Sequence, residues 1–326
     1  MAIPPEKKAH EQGLHEERLR EERLREERLR EERLRQAKLH DPHTVEVHEV
    51  DVHETKRTET TGDKASNTKP ETGTRLSAKQ IHDNVLGSAE TELHRKSGPL
   101  LYSAIAAGLT ISFSFLASAF LRMHGHEEST KHLLATAGYP LGFVFVVLAR
   151  NELFTENTLE PVIPFLHRRD RHTLGQIGRN WGLLILGNLI GALVFALLLA
   201  HTNMVPEKMR HDMLELTRRA TELGFGLTFY RAIFAGWLLA TLTWMLAATN
   251  ERITQILLII LATAPIAAFD FSHSIAGSVE AFYRAAVEDA SWADMVVNFT
   301  VPALLGNALG GVTVVALLNF GQAQED

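Results

Sequence analysis

Hydrophobic and polar positions divide the chain into two very different parts. Residues 1 to about 96 contain no apolar run of helix length and are rich in charged side chains and histidines. From Leu100 to Gly321, apolar segments of helix length follow one another. A bilayer core about 30 Å thick requires roughly 20 apolar residues in a helix. The pattern therefore predicts a polar N-terminal part followed by an all-α membrane domain.

Six apolar segments are predicted to cross the membrane as helices, because a helix satisfies its own backbone polar groups in lipid. The second and the fifth are each interrupted by polar residues. An amphipathic interfacial helix is predicted for residues 205–223, between the third and fourth crossings. The segments are 100–123, 133–149 with a continuation after Asn157, 174–200, 230–249, 253–269 with a continuation after His273, and 295–320.

The N-terminal part contains an internal repeat, since residues 16–35 are four copies of EERLR. Glu-to-Arg pairs four residues apart stabilise a helix by about 0.2–0.5 kcal/mol each. Leucine recurs every five residues, which does not produce the seam of a coiled coil. We predict a charged single helix over residues 1–40, with an oligomerising or partner-binding helix as the alternative. Residues 41–96 carry few large apolar side chains and are predicted to be a disordered linker, followed by the membrane domain at 97–322 and a tail at 323–326.

Composition and charge narrow the function classes. The chain has no cysteine, which excludes disulfides and thiolate metal sites. Its basic residues alternate with acidic ones and the formal net charge is −6, which argues against nucleic-acid binding. No metal-ligand spacing, nucleophile motif or phosphate-binding loop is found in the membrane domain, so neither an enzyme nor a cofactor is expected.

Topology is predicted from the densest short basic loop, HRRDRH at residues 167–172. Basic loops favour the cytoplasmic side, and counting crossings from this loop places both termini in the cytoplasm. No apolar segment lies near Met1, so the first crossing is expected to act as its own insertion signal. A multi-pass protein of a bacterial inner membrane is the predicted class.

The third and sixth segments contain the similar elements LGNLIGALV (186–194) and LGNALGGVTV (305–314). With three crossings in each half, the two copies would run in opposite directions, as in transporters built from inverted repeats. Gly187 and Gly306 suit close helix packing. Asn188 and Asn307 are predicted to form hydrogen bonds between helices rather than to hold a ligand.

The second and fifth segments are interrupted at RNELFTENT (150–158) and FDFSHS (269–274). Polar groups at membrane depth usually face a bundle interior or an aqueous path. Broken helices also direct free N–H groups into the site, which favours an anion. Selectivity is one hypothesis for the charged residues near the breaks, and helix capping with ion pairs to Arg150 is the other. These residues are Arg150, Glu152, Glu156, Glu160 and Asp270.

At these breaks the chain resembles the formate/nitrite transporter family over residues 100–321. The resemblance rests on the loop Leu153-Phe154-Thr155, on the histidine-serine element FSHSIA at 271–276, and on the matching elements of the third and sixth segments. It implies a homopentamer in the lipid bilayer with one pore in each protomer, an aquaporin-like outline and no covalent chemistry.

The resemblance also implies roles for individual residues. His273 would be the protonatable group at the centre of the path, and Thr155 would face it from the other break. Serine hydroxyls would lie beside the histidine, and apolar side chains would form constrictions on both sides. The serines are Ser272 and Ser274, and the apolar residues are Leu153, Phe154, Tyr139, Phe143 and Ile266.

The chain also departs from the family pattern. Gly277 and Ser278 follow the histidine-serine element where asparagine and methionine are common, and Ser272 stands where an acidic residue is often found. By ungapped counting from His273, a basic residue and an asparagine used by many members fall at Ala220 and Gly236.

The function expected is a pH-dependent channel or transporter for a small monovalent anion of the formate or nitrite class. Protons and the anion would then be its small-molecule partners. Two alternatives stay open. One is a pore for another small solute, such as ammonia, ammonium or hydrosulfide. The other is a pentameric membrane anchor that presents the charged tails.

Overall fold

A computed structural model describes residues 76–288 and 290–316, with side chains as far as residue 313. All regular elements in this part of the chain are helical. The predicted repeat helix at 1–40 and the tail at 323–326 lie outside the described residues. The helices are α1 (Ala78–Leu93), α2 (Ser97–Ile111), α3 (Phe113–Arg122), α4 (Glu128–Gly138), α5 (Pro140–Leu148), α6 (Val162–Arg168), α7 (Arg171–His201), α8 (Glu207–Thr221), α9 (Gly224–Leu246), α10 (Arg252–Ala268), α11 (Ser274–Val287), α12 (Trp292–Asp294) and α13 (Val301–Leu309). A 3₁₀ turn (Glu156–Thr158) precedes α6, and π-helical segments (Met295–Thr300 and Gly310–Ala316) flank α13.

Five helical stretches among the described residues are long and apolar enough to cross a membrane. Helix α10 is also apolar but has only 17 residues. It corresponds to the fifth predicted crossing, so the six-crossing inverted repeat stays a prediction. The five stretches are Ser97–Arg122, Glu128–Leu148, Arg171–His201, Gly224–Leu246 and Trp292–Thr313.

Helix α1 corrects the linker prediction, which is wrong for residues 78–93. The Ser77 side chain accepts a hydrogen bond from the Gln80 N–H at 3.2 Å, and the Gln80 side chain accepts one from the Ser77 N–H at 2.9 Å. This capping box defines the start of the helix. Val85, Ala89 and Leu93 then repeat every four residues and are buried. A single apolar stripe therefore packs this charged segment onto the domain.

Helix α8 lies within the interfacial helix predicted at 205–223, and the helix itself is confirmed. Its Met209 and Met213 are buried. Its Asp212 forms a buried ion pair with Arg122 of α3 at 3.3 Å. These contacts attach α8 to the helix bundle along one side.

Glycines bring two pairs of helices into close contact, α2 with α7 and α9 with α13. A Cβ at Gly187 would lie 2.6 Å from the Ala104 Cβ, and one at Gly306 would lie 2.5 Å from the Phe229 carbonyl oxygen. Real Cβ atoms do not approach so closely, so both positions require glycine. Close packing at these two glycines agrees with the role predicted for them.

Candidate permeation site

The two breaks begin with the same helix ending. Arg150 and Asp270 have φ of 56° and 54°, in the left-handed region. The next residue in each case bonds back to the helix, with Asn151 N–H to the Val146 carbonyl at 3.0 Å and Phe271 N–H to that of Ile266 at 2.8 Å. This is the Schellman pattern, which usually has glycine at the left-handed position. Helices α5 and α10 therefore end abruptly, and each is followed by an extended segment inside the bundle.

Two buried asparagines hold these extended segments in place. Asn188 accepts a hydrogen bond from the Phe154 N–H at 2.8 Å and donates to the Glu152 carbonyl at 2.9 Å. Asn307 accepts from the Ser274 N–H at 2.8 Å and donates to the Ser272 carbonyl at 3.0 Å. Backbone groups in an apolar interior need such partners. Each asparagine thus replaces hydrogen bonds that a continuous helix would have formed.

Each asparagine also donates to a neighbouring helix. Asn188 reaches the Ala104 carbonyl of α2 at 2.8 Å, and Asn307 reaches the Ala232 carbonyl of α9 at 2.7 Å. The interhelical hydrogen bonds expected from the sequence are therefore present, and the amides carry further bonds to the breaks.

His273 and Thr155 meet between the two breaks. The His273 Nε2 lies 2.9 Å from the Thr155 Oγ1, and the two residues are 2% and 0% exposed. The His273 Nδ1 accepts a hydrogen bond from the Ala276 N–H at 3.0 Å and so caps α11. Because Nδ1 is an acceptor, the neutral ring is assigned its proton on Nε2, from which it donates to Thr155. A second proton on Nδ1 would require this cap to break.

Apolar side chains surround the pair. The edge of the His273 ring faces Phe143 at a centroid distance of 5.1 Å. Phe154 packs edge-on against Trp181 at 5.7 Å. Beside the histidine, the hydroxyl oxygen of Ser274 is buried without a hydrogen-bond partner among the described residues. The predicted constriction residues belong to one buried cluster, namely Tyr139, Phe143, Leu153, Phe154 and Ile266.

One cavity borders each break. We name the first the His273 cavity, of about 80 Å³, and the second the Arg150 cavity, of about 670 Å³. Leu153, Phe154 and Thr155 line neither of them. The His273 cavity is bordered by Tyr139, Ile266, Ser272, His273, Arg219, Asp270 and Glu280 among others, and the Arg150 cavity by Arg150, Glu152, Glu156, Asn157, Glu160 and Arg252 among others.

Ion pairs near the breaks differ from those expected. Asp270 accepts two hydrogen bonds from Arg219 of α8, at 2.8 and 2.7 Å. Glu152 pairs with Arg95 at 2.6 Å. Within the described residues Arg150 forms no ion pair, so the prediction of ion pairs to Arg150 is wrong. The partner arginines come from elements far away in sequence, which explains why local spacing did not reveal them.

Arg95 also joins α1 to this region through Glu92, at 3.2 Å. Burial raises the pKa of the Glu92 carboxyl, and the nearby Glu152 acts in the same direction. Arg95 opposes both effects. Two carboxylates therefore share one arginine beside the Arg150 cavity.

The structure also explains one departure from the family pattern. A Cβ at Gly236 would lie 2.2 Å from the Asn307 carbonyl oxygen, so asparagine does not fit at this position. Next to Ala220, where ungapped counting placed a missing basic residue, Arg219 supplies a positive charge to the His273 cavity.

Comparison with known proteins agrees with this arrangement. The family model described as "Formate/nitrite transporter" matches residues 79–321. The chain belongs to the formate/nitrite transporter family. The match begins inside α1, which shows that this helix is part of the family domain rather than of a linker.

Two curated relatives illustrate the family membership. The "Inner membrane protein YfdC" of Escherichia coli is 34% identical over 249 residues, which cover 76% of this chain and 80% of that protein. The "Formate channel BtFdhC" of Bacillus thuringiensis is 26% identical over 257 residues, which cover 76% of this chain and 95% of that protein. The family consists of channels and transporters, and the chain is accordingly a multi-pass membrane transporter of this family.

Solved structures support the fold. An "FNT family ion channel" aligns with a TM-score of 0.65 at 21% identity and covers 74% of this chain and 98% of the other. A "Pentameric formate channel with formate bound" aligns with a TM-score of 0.59 at 20% identity and covers 70% and 98%. The helical framework around the two breaks is therefore the fold of this family.

Proposed function

We propose that the chain forms a pore for a small monovalent anion of the formate or nitrite class, with His273 and Thr155 as its central polar pair. The observation that carries the proposal is the buried hydrogen bond between these side chains, at 2.9 Å. It lies inside an apolar cluster, His273 lines the His273 cavity, and Glu156, which follows Thr155, lines the Arg150 cavity. A polar pair at membrane depth indicates a solute path.

The pair offers two hydrogen-bond donors to an anion. The His273 Nε2–H points to Thr155, whose hydroxyl proton has no acceptor among the described residues. An anion lying between the two side chains would accept a hydrogen bond from each of them. These bonds would replace hydrogen bonds that the anion accepts from water. Charge-assisted hydrogen bonds of this kind reduce the cost of moving the ion through an apolar constriction.

pH dependence follows from the second nitrogen of His273. Protonation at Nδ1 would release the Ala276 N–H and place a positive charge beside the path. The charged ring could hold the anion, or it could give a proton to it so that the neutral acid crosses. Both routes make transport increase as the pH falls.

Assembly and orientation complete the proposal. We infer a homopentamer in a bacterial inner membrane, in line with the relative named as an inner membrane protein and with the fold neighbour described as pentameric. The basic loop at 167–172 favours a cytoplasmic position for its end of the bundle, and both termini are then cytoplasmic.

A second candidate is a pore for ammonium or ammonia. The Arg150 cavity favours it, because among the described residues four glutamates but two arginines border this cavity, namely Glu92, Glu152, Glu156 and Glu160 against Arg150 and Arg252. An acidic vestibule raises the local concentration of cations. Dependence of flux on anion or on cation separates the two candidates.

The decisive experiment measures formate and nitrite uptake into proteoliposomes at about pH 5.5 and about pH 7.5, on either side of the normal histidine titration. We expect uptake that is faster at the lower pH and is lost in His273→Ala. The matched control is His211→Ala, at an exposed histidine of α8. Uptake of both anions that is the same in His273→Ala as in the control would contradict the role of His273. Ammonium uptake without anion uptake would select the second candidate.

A further inference from the structure

Glu280 is a carboxylate in the His273 cavity that the proposed function does not use. It lies on α11, the helix that His273 caps. Both residues line the cavity. Within the described part of the chain, the Glu280 carboxylate has neither a hydrogen bond nor an ion pair.

The other charged groups of this cavity are already compensated. Asp270 is held by Arg219 through two hydrogen bonds, at 2.8 and 2.7 Å. His132 donates from Nε2 to the Ala268 carbonyl at 3.1 Å, and the neutral His273 donates to Thr155. Glu280 is therefore the uncompensated charge of the cavity.

Helix α7, which packs along α11, carries Arg171, His172, Arg179 and His201, and none of these lines the cavity. The other elements packed against α11 place no free counter-charge there among the described residues. The π-helical segment Met295–Thr300 contains no titratable side chain. In α8, Asp212 is paired with Arg122 of α3, and Glu222 is paired with Arg284 at the far end of α11. Tyr139 of α5's N-terminal end faces the cavity and is neutral near pH 7.

The position of Glu280 matters because the cavity is small and mostly apolar. The space open to the centres of water-sized groups is about 80 Å³, so a charged group that enters the cavity lies close to the carboxylate. In such surroundings the interaction between two charges is much stronger than in water. An ionised carboxylate on the wall repels a monovalent anion and attracts a monovalent cation, and one bound proton removes both effects.

We propose that Glu280 determines which sign of charge the His273 cavity accepts. When it is ionised, the cavity excludes monovalent anions and admits monovalent cations. When it carries a proton, the cavity admits anions and these reach His273. The consequence for anion flux rests on the proposed function, whereas the charge preference of the cavity does not.

The charge preference can be measured without any transported solute. The chain has no cysteine, so Thr136→Cys places a single thiol on the wall of the cavity. Its rates of modification are measured with a cationic reagent, trimethylammonioethyl methanethiosulfonate, and an anionic one, sulfonatoethyl methanethiosulfonate. A neutral reagent, methyl methanethiosulfonate, shows that the thiol is reached, and Ala220→Cys on the same wall is the second site.

In the protein that retains Glu280, the quantity to compare is the modification rate of the cationic reagent divided by that of the anionic reagent. We expect this ratio to be about tenfold higher at high pH than at low pH. Glu280→Gln should remove this change with pH, and Glu280→Asp should retain it. Glu222→Gln, at an exposed carboxylate outside the cavity, is the matched control and should behave like the parent. An unchanged rate ratio in Glu280→Gln would overturn the proposal.

Formate uptake is the second measurement that tests the role of Glu280. Glu280→Gln should raise uptake at high pH about tenfold, so that the remaining pH dependence is that of His273. If the modification ratio changes as expected while neither protein carries formate or nitrite, Glu280 keeps its role and the proposed cargo is wrong. If formate uptake depends on His273 but the ratio does not depend on Glu280, the inference about Glu280 is wrong and the proposed function stands.

Discussion

The two breaks share one backbone design but carry different chemistry. Asn188 binds the carbonyl of residue 152 and the N–H of residue 154, and Asn307 binds those of residues 272 and 274. Residue 153 of the first break therefore corresponds to residue 273 of the second. An apolar leucine stands at one of these positions and the titratable histidine at the other. The backbone of the two breaks is alike, and the polar pair arises from two side-chain differences, His273 in place of Leu153 and Thr155 in place of Ile275.

The same contrast holds at the left-handed residues. Arg150 and Asp270 have nearly the same φ but opposite charges. Asp270 is held by Arg219, whereas Arg150 borders a cavity without an ion pair among the described residues. The two breaks thus differ in charge, although the helix endings that form them are alike.

Removing either asparagine should have the largest effect. Asn188→Ala and Asn307→Ala each leave one N–H and two carbonyls in the interior without their partners, at about 1–3 kcal/mol per group. We expect both variants to lose most of their folded yield in detergent, measured by size-exclusion chromatography. The control is Asn250→Ala, at an exposed asparagine. If only one of the two variants gives a normal folded yield, the two asparagines do not contribute equally to the stability of the fold.

Adding one methyl group at each tight helix crossing should have the next largest effect. A Cβ would lie 2.1 Å from the Asn188 carbonyl oxygen at Gly108 and 2.2 Å from that of Asn307 at Gly236. We expect Gly108→Ala and Gly236→Ala to reduce stability by about 1–3 kcal/mol or more, seen as a lower Tm. Gly226→Ala, where a Cβ meets nothing within 4 Å, should leave the Tm unchanged. Equal Tm values for all three would contradict the close approach.

Glycine substitutions at the two left-handed residues, Arg150 and Asp270, should change the Tm by smaller and unequal amounts. Arg150→Gly removes the steric cost of the left-handed backbone, about 1 kcal/mol, without loss of an ion pair, and should raise the Tm. Asp270→Gly gains the same relief but loses the Arg219 pair, so its Tm should rise less or fall. A larger rise for Asp270→Gly than for Arg150→Gly would reverse this interpretation.

The smallest effect concerns Glu288, which joins the end of α11 to α8. A hydrogen bond from Arg218 lowers the pKa of the Glu288 carboxyl, and Arg284 adds to this. Because the pKa is lower in the folded protein, the ionised carboxylate stabilises the fold at pH values above the ordinary carboxyl pKa. This contribution is lost as the pH falls through the folded-state pKa. Glu288→Gln should therefore lower the Tm near pH 7 slightly and reduce its dependence on pH in the acid range. An unchanged pH profile would show that the pair is not formed in solution.

The sequence predicted the breaks because polar residues inside apolar runs have few explanations in a membrane. His273, Thr155 and the two asparagines stand in such runs, and the structure places the first two 2.9 Å apart. Helix α1 could not be predicted from composition, since its three buried apolar residues Val85, Ala89 and Leu93 are scattered among polar and charged residues. A search for apolar residues at four-residue spacing would have found it.

Long-range partners could not be predicted in the same way. Asp270 is paired with Arg219, 51 positions away, and no local pattern connects the two. Gly236 has no feature in sequence that distinguishes it from a replaceable residue, because its role is the close approach of Asn307 from another helix. Such facts depend on the packing of distant helices.

The cap that His273 provides for α11 fixes the orientation of its ring. With Nδ1 occupied by the Ala276 N–H, the neutral ring would present a donor and no acceptor to a solute in the proposed pore. A carboxylate or nitrite oxygen complements that donor, whereas an ammonium N–H meets it head-on and must rely on the Thr155 oxygen instead. If the proposed pore passes this pair, it would distinguish solutes by the direction of their hydrogen bonds, even among species of equal size and no charge.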